Sequence, residues 1–145
     1  MPHYSKTAHT IYNHRYHIVW ITKYRYKVLT YDLKKRVREI IAQVSEEMGI
    51  KIVNGVVSSD HIHVFVEIPP HVCVSEYVKK AKGRSSRRIQ EEYPEIRKRY
   101  WGCHLWARGY FSSTSGNVTD DMINEYINRH SDANEPQGAS NISLD

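Results

Sequence analysis

Apolar positions recur along the chain with two different periods, and each period predicts a different kind of element. Between 32 and 48 they recur every three or four residues and Gly49 follows, which is typical of a helix with a C-terminal cap. Over 61–68 every second residue is aliphatic, which predicts a strand with one packed face. In chain order, the pattern predicts a strand over 14–22, a helix over 32–48, strands over 50–57 and 61–68, a helix over 75–92, a strand over 104–111 and a helix over 119–130.

This order of elements predicts an α+β domain of the ferredoxin-like type. Its βαββαβ core would form an antiparallel four-stranded sheet with two helices on one face. The other face would be open to a ligand or to another chain, and an extra C-terminal helix would follow the core. The domain is expected to span 1–130 and a flexible tail 131–145. Three tryptophans are expected in the core: Trp20, Trp101 and Trp106.

The histidines of the third predicted strand, His61 and His63, are candidate metal ligands. Side chains alternate along a strand, so both imidazoles lie on one face and can converge on one cation. The opposite face, which carries Ile62 and Val64, is the packed side. The spacing also arises by chance in a chain with nine histidines, so a packing role for the pair stays open.

The last predicted helix carries a phenol and an imidazole four residues apart, Tyr126 and His130. Residues at this spacing are neighbours on one helical face, so a tyrosine nucleophile and a third metal ligand can be presented together. The alternative is that Tyr126 packs and that His130 lies favourably near the C-terminus of the helix. Both interpretations fit the helix alone.

The chain carries a net charge of +5, and its basic residues are concentrated in one segment. Nine basic and three acidic residues lie between 79 and 99, which favours a polyanionic partner, although a solvated helix face has the same composition. Over 23–27 cations alternate with tyrosines, a pattern that suits single strands because rings stack on unpaired bases. The candidate DNA contacts are Lys23, Arg25, Lys79, Lys82, Arg84, Ser85, Arg87, Arg88 and Arg108.

The sequence carries no signal for the membrane or for export. No apolar run approaches the ~20 residues that span a bilayer, and the N-terminus lacks the apolar stretch of a signal peptide. We therefore expect a cytoplasmic protein without membrane contact. No Walker motif is present, so the pattern gives no indication of an ATP-driven enzyme.

Three motifs and one tyrosine, in this order, resemble a known family. They are DHIH at 60–63, KGRSS at 82–86, LWARGYF at 105–111 and a final helix with Tyr126. Together they are similar to the single-tyrosine transposases of the insertion sequence 200/605 family, within the HUH (His-hydrophobic-His) nuclease superfamily. The resemblance covers about residues 10–130.

The resemblance implies a metal-dependent transposase that cleaves and rejoins single-stranded DNA at the ends of its own element. Tyr126 would be the nucleophile and would form a 5′-phosphotyrosine intermediate. His61 and His63 would hold a divalent ion, and His130 would complete the site where the family commonly has glutamine. Mg²⁺ or Mn²⁺ is expected, and Zn²⁺ stays open because imidazoles also suit it. Family members are homodimers that bind hairpin DNA.

Two alternative functions stay open. A replication-initiator or relaxase-type nickase would use the same chemistry, although such proteins are usually larger. A non-catalytic, ferredoxin-like protein that binds single-stranded nucleic acid would need neither the two histidines nor Tyr126. A covalent DNA adduct that depends on Tyr126 would separate the enzyme from the binder.

Overall fold

The computed structural model describes residues 4–6, 10–114 and 118–134, with the backbone alone at 120 and over 129–134. Six strands and four α-helices are found in these ranges. They are β1 (Ser5–Lys6), β2 (Ile11–Tyr12), β3 (Arg15–Ile21), α1 (Tyr31–Glu47), β4 (Lys51–Val57), β5 (His61–Glu67), α2 (Val74–Glu92), α3 (Pro94–Arg99), β6 (Phe111–Ser113) and α4 (Asp120–Asn134).

The main sheet has four strands in the order β4–β5–β3–β6, and every neighbouring pair is antiparallel. Since α1 connects β3 to β4 and α2 lies between β5 and β6, this is the ferredoxin-like arrangement that the sequence predicts. The register of the two central strands places Val19 opposite His63 and Ile21 opposite His61. Strands β1 and β2 pair with each other in a separate two-stranded ribbon.

One face of the sheet packs against α1 and α2 and forms the main core. Ile18 and Trp20 of β3 lie in it with Ile62 and Val64 of β5, all of them buried. Each fully buried side chain of this size contributes roughly 1.5–3 kcal/mol relative to its exposed state. The helix predicted over 32–48 is confirmed as α1, and Gly49 follows its end with a φ of 70°.

The fourth strand of the sheet is β6, and the strand predicted over 104–111 is wrong. Trp106 makes one isolated bridge to Thr22, and regular pairing with β3 begins only at Phe111. The segment between them leaves the sheet because Gly109 adopts a φ of 78°, which a continuous strand does not contain.

Two of the three tryptophans lie in the core as expected. Trp20 and Trp106 are buried and meet edge to face, with ring centroids 6.1 Å apart. For Trp101 the expectation is wrong, because the turn that follows α3 leaves this side chain 91% exposed.

Helix α4 packs on part of the second face of the sheet, against β3. Ile123 and Ile127 pack on Val19, Ile21 and Ala107 in a smaller core that is separate from the main one. The helix runs to 134, four residues beyond its predicted end, and the rest of the predicted tail lies outside the described residues. None of the helices in the described ranges is long and apolar enough to cross a bilayer.

Candidate active site

The two histidines of the HxH motif lie on the face of β5 that is opposite the main core. Their neighbours Ile62 and Val64 are buried against the helices, whereas His61 and His63 are half-buried. Their partners across the sheet, Ile21 and Val19, belong to the smaller core beneath α4. Strand alternation therefore places both imidazoles on the face of the sheet on which α4 packs.

Asp60 orients the ring of His61. Oδ1 of Asp60 lies 2.8 Å from Nδ1 of His61, so this nitrogen carries the proton and donates to the carboxylate. Burial alone would raise the pKa of the Asp60 carboxyl, but the hydrogen bonds from His61 and Arg25 outweigh it and hold the pKa below its ordinary value. The carboxylate is thus ionised at neutral pH, and Nε2 of His61 is left for a ligand.

Arg25 connects the same carboxylate to the last helix. Its Nε donates to Oδ2 of Asp60 over 3.0 Å, and its Nη1 donates to Oδ1 of Asn128 in α4 over 2.9 Å. The backbone that presents Arg25 is left-handed at two successive positions, with φ values of 61° at Tyr24 and 56° at Arg25. Such a conformation costs roughly 1–2 kcal/mol for each non-glycine residue, so the surrounding contacts must hold it in place.

A third imidazole, that of His17, adjoins the pair. Its Nδ1 lies 3.0 Å from Nε2 of His63, and its ring stacks on Phe65 with centroids 4.3 Å apart. Burial lowers the pKa of His17, which keeps this ring neutral at neutral pH. One signal for His17 was present in the sequence, because it shares the face of Val19 on its own strand. Only the register of β3 with β5, however, brings it beside His63.

Tyr126 lies in the smaller core on the same side of the sheet. Its ring packs against Phe111 of β6 with centroids 5.9 Å apart. The core that it joins contains Val19 and Ile21, the strand partners of the two histidines. Burial raises the pKa of the phenol to about 12. The side chain of His130, the third predicted ligand, lies outside the described side chains.

The described part of the site fits a divalent ion through the orientation of His61. A carboxylate that holds Nδ1 of a ligating histidine fixes the tautomer and makes Nε2 the better ligand, and Asp60 is placed in this way. Among the described side chains, no three His, Cys, Asp or Glu residues gather closely enough to hold an ion. His61 and His63 share one face of β5, and Nε2 of His63 lies 3.0 Å from Nδ1 of His17, so His63 would have to turn away from His17 to bind an ion through Nε2.

Two predicted DNA contacts instead support the segment that follows α3. Lys82 donates from Nζ to the carbonyls of Ala107 and Gly109, both over 2.7 Å, and burial lowers its pKa to about 8. The hydroxyl of Ser85 is buried, donates to the carbonyl of Ala81 and accepts a hydrogen bond from the indole of Trp106. In this conformation both hydrogen bonds of the Ser85 hydroxyl lie inside the domain, so the hydroxyl does not reach a phosphate at the surface.

The other predicted DNA contacts lie at the surface in different settings. Arg84 makes a bidentate pair with Glu47, with contacts of 2.6 and 2.8 Å, which occupies its guanidinium. Arg88 is half-buried, and Arg108 is exposed. Lys23, Lys79 and Arg87 line a groove.

This basic groove consists of three adjoining hollows along α2 and α3. The first is lined by Lys79 and Arg87, the second by Arg87, Arg97 and Lys23, and the third by Arg97 and Lys98. Seven basic and two acidic residues line the three hollows together. Such a surface attracts a polyanion, and it extends beyond the residues that the sequence predicted.

A family model described as IS200-like transposase matches residues 10–130 of the chain. The chain belongs to the IS200-like transposase family. Individual relatives agree with this. The ISDra2 transposase TnpA of Deinococcus radiodurans is 30% identical over 122 residues, which cover 84% of this transposase and 87% of that protein. The transposase for insertion sequence element IS200 of Salmonella typhimurium is 34% identical over 120 residues, or 83% and 78% of the two chains.

Solved structures show the same fold. The crystal structure of a candidate transposase from Deinococcus radiodurans superposes on this transposase with a TM-score of 0.80 at 28% identity, covering 87% of this chain and 97% of that one. A REP-associated tyrosine transposase bound to a REP hairpin matches with a TM-score of 0.54 at 15% identity, covering 86% and 67% of the two chains. The fold is thus confirmed, and the family identifies an enzyme that acts on DNA.

Proposed function

We propose that this transposase cleaves and rejoins single-stranded DNA with Tyr126 as its nucleophile. His61 and His63 would hold a divalent ion, Mg²⁺ or Mn²⁺, with His130 as a third ligand. The observation that carries the proposal is the shared face of the sheet: Tyr126 packs against the smaller core that contains Val19 and Ile21, and these two residues pair with His63 and His61.

In the cleavage step, Oη of Tyr126 attacks the scissile phosphorus and the bond from phosphorus to the 3′-oxygen breaks. The products are a 5′-phosphotyrosine and a free 3′-hydroxyl, so the phenol loses its proton and the departing oxygen gains one. When bound, a divalent ion supplies Lewis-acid polarisation of the phosphate and stabilises charge on the departing oxygen. The high pKa of Tyr126 means that the hydroxyl enters the step protonated.

Rejoining needs no external source of energy. Each step exchanges one phosphoester for another, and the phenol of Tyr126, even with its pKa raised to about 12, leaves more readily than a sugar alkoxide. Attack of a 3′-hydroxyl on the phosphotyrosine therefore restores a phosphodiester and returns Tyr126 to its starting state.

Asp60 and Arg25 would act as positioning residues in this reaction. Asp60 keeps the proton of His61 on Nδ1, so that Nε2 is directed to the ion. Arg25 holds Asp60 and at the same time contacts α4, the helix of the nucleophile, through Asn128. Asp60 and Arg25 thus lie outside the HxH motif and are distinct from the nucleophilic tyrosine, although they position both.

The DNA substrate would be a hairpin with an unpaired flank from an end of the element. The basic groove offers lysines and arginines to the sugar-phosphate backbone. Tyr24 lies beside Lys23, which lines the middle hollow of the groove, and Tyr26 lies beside Arg99, with cation–ring distances of 5.4 and 4.1 Å. Such combinations suit unpaired bases better than a closed duplex, whose base faces are stacked.

The decisive experiment looks for a covalent adduct. The protein is incubated with single-stranded hairpin DNA and Mn²⁺, and a denaturation-resistant adduct is expected with the wild type. Tyr126→Phe should form none while binding is retained, and Tyr31→Phe, whose ring is 82% exposed, serves as the matched control. His63→Ala should abolish cleavage with hairpin affinity within a few-fold, since phosphate contacts dominate affinity. Tight binding without any adduct would contradict the proposal and identify a non-catalytic binder.

We also propose that the active form is a homodimer, and complementation tests how the two chains share the site. Tyr126→Phe and His63→Ala are each expected to be inactive alone. If the tyrosine of one protomer serves the histidine pair of its partner, the mixture regains activity because mixed dimers contain one intact site. If each chain uses its own tyrosine, the mixture stays inactive, and a strictly monomeric active species in sedimentation would contradict the dimer.

A further inference from the structure

Trp101 is the most exposed large apolar side chain among the described residues. It is 91% exposed, whereas Trp20 and Trp106 are buried in the main core. An indole in water forfeits the stabilisation that burial gives to large aromatic residues. Its exposure therefore requires an explanation other than folding.

The backbone at Trp101 adds to the cost of this placement. The amide of Gly102 donates to the carbonyl of Arg97 over 2.9 Å, and the amide of Trp101 donates to the carbonyl of Lys98 over 3.2 Å. These two bonds form the Schellman motif that ends α3, and Trp101 occupies its left-handed position with a φ of 57°. Glycine is the residue that this position favours, so the sequence places its bulkiest side chain where a small one would be more stable.

The surroundings of Trp101 are basic and concave. Arg97, Lys98 and Gly102 line one hollow together with Trp101. Arg97 also lines the adjoining hollow, which contains Arg87. Trp101 thus stands at one end of the basic groove, next to cations on α3. A backbone that follows the groove would bring its bases to this ring.

We propose that Trp101 is a stacking platform for an unpaired base of a DNA strand held in the basic groove. The inference deepens the proposed function and rests on it, since it concerns single-stranded DNA. Charge complementarity selects a nucleic acid as the partner, and an exposed ring at the tip of a turn matches the free face of an unpaired base. The base faces of a duplex are occupied by their neighbours and offer no equivalent surface.

The test compares Trp101→Gly with Trp101→Phe and with Tyr31→Ala, an exposed aromatic on α1 that serves as the control. Affinity is measured for oligo-dT and for a blunt DNA duplex at one salt concentration, together with intrinsic fluorescence. We expect Trp101→Gly to bind oligo-dT about tenfold more weakly, which corresponds to the loss of one stacked base, with little change for the duplex. Trp101→Phe should retain most of the affinity and Tyr31→Ala all of it.

Two further readouts distinguish stacking from damage to the fold. Because glycine is favoured at the left-handed position, Trp101→Gly should unfold at an equal or higher urea concentration than the wild type. Since the other two tryptophans are buried, quenching of the exposed indole by oligo-dT should disappear in Trp101→Gly. A destabilised Trp101→Gly with weaker binding of both DNAs would contradict a stacking role.

Other outcomes overturn the proposal directly. If Trp101→Gly binds oligo-dT as tightly as the wild type, Trp101 does not stack on a base. If the wild type self-associates without DNA and Trp101→Gly does not, the ring contacts a protein instead. The covalent-adduct assay separates this inference from the proposed function. An adduct that forms equally in Trp101→Gly, with equal DNA affinity, rejects the stacking platform alone, whereas quenching and binding without an adduct reject the nucleophilic reaction alone.

Discussion

Arg25 and Asp60 form an ion pair with Nε and Oδ2 3.0 Å apart, and each partner makes a second contact that leads to a different part of the site. Asp60 holds Nδ1 of His61, and Arg25 reaches Asn128 on α4. The pair is largely buried, with side-chain exposures of 18% and 9%. One ion pair therefore connects the histidine strand to the helix that carries Tyr126.

Asp60→Asn should weaken metal binding with little effect on the fold. An amide can still accept the hydrogen bond from Arg25 but cannot orient Nδ1 of His61 as a carboxylate does. Loss of such a partner costs roughly 10- to 100-fold in metal affinity, which calorimetry with Mn²⁺ can measure in the absence of DNA. Asp32→Asn, at an exposed position in α1, is the control and should bind as the wild type does. Equal Mn²⁺ affinity in Asp60→Asn would show that Asp60 does not support the ligand.

Arg25→Gln should loosen α4 on the sheet. The substitution removes the guanidinium that contacts Asp60 and Asn128 together. Backbone amides of α4 are expected to exchange hydrogen about threefold to tenfold faster, in line with the loss of one or two modest hydrogen bonds. Lys27→Gln, an exposed neighbour, should leave the exchange unchanged. If α4 keeps its full protection in Arg25→Gln, its packing on Val19 and Ile21 alone holds it in place.

The sequence predicted those features that depend on local pattern. The helical spacing of apolar residues predicts α1, and the alternation of aliphatic residues predicts β5. The same alternation predicts that His61 and His63 lie on one face of that strand. Features that depend on pairing between distant segments were not predictable in this way. His17 becomes a neighbour of His63 only through the strand register, and Arg25 reaches Asp60 only through a left-handed backbone that arginine rarely adopts.

Two errors in the fold predicted from the sequence have different physical causes. The segment 104–111 has the composition of a strand, but Lys82 holds its carbonyls at 107 and 109 from across the domain, and Gly109 turns the chain. Trp101 has the composition of a core residue, but the turn that ends α3 presents it to solvent. The Lys82 contacts join distant positions, whereas the turn at Trp101 is closed by local hydrogen bonds to Arg97 and Lys98 that a core-like composition does not reveal.

Lys82→Met should destabilise the protein by about 1 kcal/mol at neutral pH, because two hydrogen bonds to carbonyls are lost. The pKa of Lys82 is lowered by burial to about 8, so the unfolded chain binds this proton more tightly than the folded one. The contribution of Lys82 to stability should therefore increase from pH 8 to about 10.5 and decrease as the pH falls through 8. Urea unfolding over this range measures it.

Lys80→Met, at an exposed position of the same helix, is the control for Lys82→Met and should show no such dependence. The quantity to compare is the difference in free energy of unfolding between each variant and the wild type at each pH. If this difference for Lys82→Met is the same at pH 8 and at pH 10, the ammonium group of Lys82 is not desolvated. Lys82 would then not hold the 105–111 segment from a buried position.

The alkaline titration of Tyr126 tests whether its ring is buried between α4 and the sheet. Burial raises the pKa of this phenol to about 12, whereas the unfolded chain has the ordinary value near 10. The folded state then keeps a proton that the unfolded state has lost, so the stabilising contribution is complete below pH 10 and is lost as the pH rises through about 12. The free energy of unfolding of the wild type should accordingly fall relative to that of Tyr126→Phe across this window.

Absorbance difference spectra provide the direct measurement for Tyr126, because phenolate absorbs where phenol does not. The difference between the wild type and Tyr126→Phe should titrate near 12, above the value near 10 that is ordinary for a phenol. Comparison by variant is necessary because burial also raises the pKa values of Tyr77 and Tyr100. A Tyr126 difference spectrum centred near 10 would place the phenol in water and contradict its packing against Phe111.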